Sequence, residues 1–136
     1  MAADLAVTRL DAGLVANDRD AALAFWSDLL GFPVLGEVSF PGLTVIRLGV
    51  GDAVLRIVVP EQPAEHLASQ GGFLRQTGLR YLTLQVRNLE AIYIAAKERG
   101  YPTPHAPREI RPGTWAAQIE DGAGTTVELQ QVDDVA

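Results

Sequence analysis

The chain has 136 residues, with 17 Asp and Glu against 11 Lys and Arg, a formal net charge of −6 and a pI near 4.8. That length suits one ordinary domain or two small modules around a shared core, and the acidic balance argues against nucleic acid, which needs clustered Lys and Arg. No cysteine is present, so disulfides and thiolate metal sites are excluded and any metal would have to be held by His, Asp or Glu.

At the start of the chain, Met1-Ala2-Ala3-Asp4-Leu5 lacks the charged and apolar regions of a secretory signal, and no apolar run approaches the roughly 18 residues of a membrane helix. The expectation is a soluble cytoplasmic protein with no membrane partner. Residues 11–16 alternate as a strand. Asn17 or Asp18 then offers a helix cap, and Ala22, Phe25, Trp26, Leu29 and Leu30 recur at helical spacing as one apolar stripe, with Gly31 as the stop.

Strand signals follow at residues 33–40, 43–50 and 53–59, the last two separated by a hairpin turn marked by Gly49, Gly51 and Asp52. Residues 60–77 contain Pro60, Pro63, Gly71 and Gly72 and read as a surface connection with a short helix around 64–69. A strand at 79–87 leads to a second helix with Asn88 as cap, Leu89, Ile92, Tyr93 and Ala96 as stripe and Gly100 as stop. The segment 101–112 holds four prolines, which confines it to an edge or a lid beside a sheet. Two more strands at 114–120 and 125–131 flank the turn Asp121-Gly122-Ala123-Gly124.

The order repeats itself. Strand, cap, helix and terminal glycine over residues 11–31 are written again, loosely, over residues 81–100, which divides the chain into a first module at about 7–60, a linker at about 61–77 and a second module at about 78–132. Successive strand residues point to opposite faces, so Ala12, Leu14, Leu55, Ile57, Leu82, Leu84, Val127 and Leu129 are wanted by the helix stripes. The opposite faces are then lined by Asp11, Arg56, Tyr81, Thr83, Gln85, Thr126, Glu128 and Gln130.

The opening of the chain, with Asn17-Asp18, Ala24-Phe25-Trp26 and Leu30-Gly31-Phe32, and its ending from Glu120 to Leu129 resemble the glyoxalase/bleomycin-resistance (vicinal oxygen chelate) superfamily. The resemblance spans nearly the whole chain. It implies an α+β fold of two βαβββ modules forming a concave eight-stranded sheet with helices outside, a small-molecule ligand in the concavity, and a homodimer. Metal-using members place His, Glu or Gln on four equivalent strand positions, which fall here on Asp11, Arg56, Tyr81 and Glu128. Only Glu128 fits. Arg56 has no lone pair to donate and Tyr81 is a phenol that stays protonated near pH 7, so the expectation is that neither metal nor other cofactor is used.

The functional expectation is metal-independent acid-base chemistry on a small oxygenated molecule, of isomerase, epimerase, lyase or cyclase type. Arg56 would hold a carbonyl, enolate or carboxylate, Asp11 or Glu128 would act as base, and Tyr81 as proton donor. A structural ion pair among these groups is the plain alternative for the same residues. Arg47, Thr83, Gln85, His105, Trp115, Thr126 and Gln130 are the candidate ligand-binding residues. His105 would reach the cavity mouth from its proline-rich segment, and Trp115 would stack on a flat ligand. Two other functions stay open: sequestration of a drug without catalysis, and a metal-dependent lyase or dioxygenase using Asp11, Glu128 and His105.

Overall fold

The computed structural model describes residues 1–133. Its first unit, Met1–Ala64, runs β1 (Ala12–Val15), α1 (Arg19–Leu23), β2 (Val34–Phe40), β3 (Leu43–Val50) and β4 (Ala53–Pro60). The second, from Glu65, repeats the plan with β5 (Tyr81–Gln85), α2 (Leu89–Glu98), β6 (His105–Arg111), β7 (Thr114–Glu120) and β8 (Thr126–Val132). The fold is α+β, built from two βαβββ modules. The eight strands divide four and four, in the orders β1-β4-β3-β2 and β5-β8-β7-β6. In each sheet the first strand pairs parallel with the last, and the other neighbours are antiparallel.

In the first unit Asp18 is the helix cap, its Oδ1 accepting the Ala21 N–H at 3.0 Å. Asn17 does something else, closing a pair of hydrogen bonds with the backbone of Ala64 at 2.8 and 3.2 Å. After Leu23 the helix continues as a wider π-helical stretch, Ala24–Leu29, in which the Leu30 N–H reaches back to the Phe25 carbonyl at 3.1 Å. Phe25 and Trp26 are adjacent in sequence and both fully buried, their rings edge-on with centroids 4.8 Å apart. They share the unit's core with Ile46, Leu48, Leu55 and Ile57, at an apolar gain of roughly 1.5–3 kcal/mol per large side chain. Gly31 ends the helix at φ 78°, a conformation in which a side chain would be strained.

In the second unit α2 packs on β6, β7 and β8, burying Leu89 and Ala96 above Ile119, Val127 and Leu129. Asn88 occupies the cap position but makes no side-chain capping bond. The Leu89 N–H is instead accepted by Gln131 Oε1, 2.9 Å away on β8. The sequence expectation of an Asn88 cap is corrected on this point.

One further expectation changes. No helix forms at residues 64–69, which are largely exposed and so offer no apolar face to stabilise a short helix. Their backbone is tied down by side chains: Ala64 by Asn17, and Ser69 by Gln76 Oε1 at 3.1 Å and Arg80 Nη2 at 3.0 Å. A single 3₁₀ turn at Phe73–Arg75 lies further on. The proline-rich segment is the edge strand β6, and its register slips between His105 and Arg108, where Pro107 has no N–H for the ladder. Among the described residues no helix is long and apolar enough to cross a membrane.

Candidate functional site

Register partners in a sheet share a face, so the strand pairing turns each polar face into rows of side chains. In the first sheet one row runs Gly13, Arg56, Arg47, Gly36 across β1, β4, β3 and β2. The equivalent row of the second sheet runs Thr83, Glu128, Gln118, His105 across β5, β8, β7 and β6. The duplication inferred from the sequence is therefore preserved at the level of single register positions. What differs is the chemistry, cationic in the first row and hydrogen-bonding with one carboxylate in the second.

Asp11 lies just before β1 and fastens it to β4. Its Oδ1 accepts the Val54 N–H at 2.9 Å, Arg9 grips both carboxylate oxygens at 3.0 and 3.2 Å, and Arg56 Nη1 stands 3.6 Å from Oδ2. The Val54 hydrogen bond, with Arg9 and then Arg56 assisting against partial burial, holds the carboxyl below its ordinary pKa. A carboxylate stabilised in its charged form is a weak proton acceptor, so this geometry suits Asp11 to holding Arg56 rather than to acting as base. The outer ion pair of the unit, Arg19 with Glu37, belongs to the helix-covered side, because Glu37 is the register partner of buried Ile46.

Glu128 sits in a different setting. Its Oε1 accepts from Gln130 Nε2 at 2.9 Å and its Oε2 from the Thr83 hydroxyl at 3.4 Å, while Gln85 donates to Gln130 Oε1 at 2.6 Å. Four of the sequence candidates, Thr83, Gln85, Glu128 and Gln130, thus form one hydrogen-bonded chain. Beside it lies a pocket of about 60 Å³ lined by His105, Arg108, Ile110, Gln118 and Glu128, among others. That is room for a few waters or one small polar group.

Not every candidate joins this group. Tyr81 is 47% exposed and rests edge-on against Phe73 at 5.2 Å. Thr126 is its register partner but only 2% exposed, which leaves almost no surface for a ligand. Trp115 pairs with Gln131 and Glu109, in the set that alternates with Ala116 and Gln118, and so lies on the α2 side of the sheet. Arg108 and Gln118 were missed by the sequence reading. Gln118 carried a usable signal, since it alternates with Trp115, Ala117 and Ile119, whereas Arg108 was hidden in a segment whose prolines read as loop.

The donor set does not fit a divalent metal. At the positions equivalent to ligands, the first sheet offers a guanidinium and a carboxylate already committed to Val54, Arg9 and Arg56. Among the described residues no group of three or more His, Asp or Glu side chains is placed to hold an ion.

A family model, Glyoxalase/Bleomycin resistance protein/Dioxygenase superfamily, matches residues 8–129. The chain belongs to this superfamily. Solved structures of similar fold include a superfamily domain from Frankia sp. EAN1pec, 13% identical with a TM-score of 0.78 over 98% of this chain and 96% of that one. TnmS3, an antibiotic binding protein from Streptomyces sp. CB03234, is 18% identical with a TM-score of 0.69 over 96% of this chain and 100% of its own. Glyoxalase I from Zea mays is 18% identical with a TM-score of 0.74 over 90% of this chain, which corresponds to 43% of the maize protein. At such identities the likeness concerns the superfamily fold alone. No curated protein matches the chain.

Proposed function

We propose that the chain acts without a divalent metal on a small oxygenated organic molecule, taking a proton from carbon beside a carbonyl with Glu128 as base. The observation that carries this reading is the pocket in which Glu128 is the one lining carboxylate, facing His105, Arg108 and Gln118. Thr83 and Gln130 fix the orientation of the carboxylate, and Arg108 supplies positive charge for an enolate oxygen developing as the proton leaves. His105 returns a proton, giving isomerisation, epimerisation or elimination according to the substrate. Arg56, steadied by Asp11, serves as a holder of a ligand oxygen in the first unit. A homodimer belongs to the same proposal, and the exposure of Leu67, Leu74 and Leu79 supports it.

The test works with the substrate still unidentified. A panel of 2-oxo and 2-hydroxy acids, esters and thioesters is incubated with the protein in D₂O and followed by proton NMR for exchange at the carbon beside the carbonyl. Exchange with the wild type, lost by about 100-fold or more in Glu128→Gln, is expected from removal of a general base. Exchange that persists in Glu128→Gln would sink the assignment.

A separate observation favours a second reading, sequestration without catalysis. Residues 73–81 wall an open cleft of about 740 Å³, within the size range of small-molecule sites, and Phe73, Leu74, Leu79 and Tyr81 present apolar surface there. The structural likeness to an antibiotic binding protein agrees with it. Under this reading no member of the panel exchanges, and an aromatic cationic antibiotic quenches Trp or Tyr fluorescence in both wild type and Glu128→Gln.

A further inference from the structure

The polar face of the first sheet holds a second arginine, Arg47, to which the proposed function gives no role. Arg47 and Arg56 are direct register partners on β3 and β4, both partly exposed. Like charges set opposite one another across a sheet are destabilising, and the two side chains lean apart, Arg47 over Gly36 on β2 and Arg56 towards Asp11 before β1. The one carboxylate nearby, Asp11, is shared between Arg56 at 3.6 Å and the closer Arg9 at 3.0 Å. Among the described residues the Arg47 side chain has no hydrogen-bond or ion-pair partner. Arg9 and Arg56 thus share one carboxylate while Arg47 faces none, on a chain whose net charge is −6.

The neighbours of the two arginines are equally telling. Gly13 and Gly36 close the row at its two ends. Neither has a positive φ, and a Cβ on either would meet nothing nearer than 3.9 Å, so neither backbone conformation nor packing in the free protein demands glycine. At Gly36 the atom met is Arg47 Nη1, which lays that guanidinium across the glycine floor; at Gly13 the floor beside Arg56 is open. Glycine inside a strand weakens it and often marks close approach of another molecule.

Two residues further along the strands, on the same face, lies a row of four valines, Val15, Val58, Val45 and Val38. Val15 and Val38 are 63% and 46% exposed. Two residues of strand span roughly 6.6–6.8 Å, the width of an aromatic ring. We infer that this face binds an organic monoanion, a carboxylate held by Arg47 above the Gly36 floor, with an apolar body about one ring-width away on the valine row. A guanidinium matches a carboxylate by charge and by its fork of donors, and the valines take the apolar part out of water.

The experiment is a ¹⁵N-resolved NMR titration of the whole chain at about 50 mM salt with three probes: 4-phenylbutyrate, the uncharged 4-phenylbutanamide, and acetate. 4-Phenylbutyrate is expected to move the amides of Gly36, Val38, Val45 and Arg47, and to bind at least about 10-fold more tightly than either other probe. Loss of one charge-assisted contact in Arg47→Gln weakens it by about 10-fold or more. Gly36→Leu, which keeps every charge but fills the floor beneath Arg47, also weakens it. Equal affinity for the amide, shifts mapping elsewhere, or an unchanged Arg47→Gln each overturn the inference. Should Gly36→Leu lose its fold by circular dichroism, Arg47→Gln decides alone. None of these outcomes depends on Glu128.

Discussion

Replacing Gln131 by alanine removes the acceptor that satisfies the first amide of α2 from outside the helix. The Leu89 N–H donates to Gln131 Oε1 at 2.9 Å, Leu89 itself is only 3% exposed, and Asn88 makes no capping bond. With the acceptor gone, a largely shielded donor is left without a partner, at a cost of about 1–3 kcal/mol; loss of a helix cap, measured differently, gives about 0.5–2 kcal/mol. The overlap of the two ranges sets the expectation at about 1–2 kcal/mol. Asn88→Ala removes no such bond and is expected within about 0.5 kcal/mol of the wild type. Urea denaturation of the two variants, read by far-ultraviolet circular dichroism with the slope held common, measures the difference; a thermal midpoint lower by several degrees for Gln131→Ala is the companion signal. An Asn88→Ala variant as destabilised as Gln131→Ala refutes the reasoning, because the cap would then reside where the sequence pattern put it.

Two further outcomes are expected. Gly124 has φ 102°, and a Cβ there would stand 2.5 Å from the Ala68 Cβ and 3.2 Å from its carbonyl carbon; Gly124→Ala is expected to cost about 2–4 kcal/mol from backbone strain and overpacking together. Gly122, at φ 81° with open space around it, would suffer the strain alone, so equal urea midpoints for the two alanine variants would remove the Ala68 contact from the account. Asp11, whose pKa is lowered from 3.8 in the folded chain, contributes stability that is complete above about pH 4 and is lost as pH falls through the lowered value. Asp11→Asn keeps an acceptor for Val54 but no charge, so its urea midpoint should vary less than that of the wild type between about pH 5 and 2.5, and parallel curves would show that the charge does not matter.

How much of the fold and the site is legible in the sequence depends on the range of the interactions involved. Both helices, their terminal glycines and the two faces of β1, β4, β5 and β8 could be read directly, because periodicity and turn chemistry are local. The grouping of Thr83, Gln85, Glu128 and Gln130 followed from the same alternation. The Gln131 cap could not be read, since its donor lies 42 positions away and only the β8–α2 packing brings the two together. Nor could β6 be told from a lid: a strand with a proline in it is tolerated only where one edge is free, and that freedom is a property of the finished sheet.

The Arg47–Arg56 pair stands between these cases. Alternation places each arginine on the polar face, but only register sets them opposite one another, and a slip of one residue would turn one of them towards Trp26 and Phe25. The register is fixed by a turn of two residues, Gly51 and Asp52, with Val50 paired to Ala53. Gly51 takes φ 57°, the conformation short hairpins need and glycine supplies. The turn was visible in the sequence, and a two-residue reading of it already brings Arg47 opposite Arg56. In the second module the corresponding loop spans residues 121–125, with Asp121 Oδ1 gathering the amides of Ala123 and Thr125 at 2.8 and 3.0 Å. That longer closure sets Gln118 against Glu128. Loop length thus decides which side chains each row contains, and a turn of residues 121–124 alone, one short of the actual loop, does not set Gln118 against Glu128.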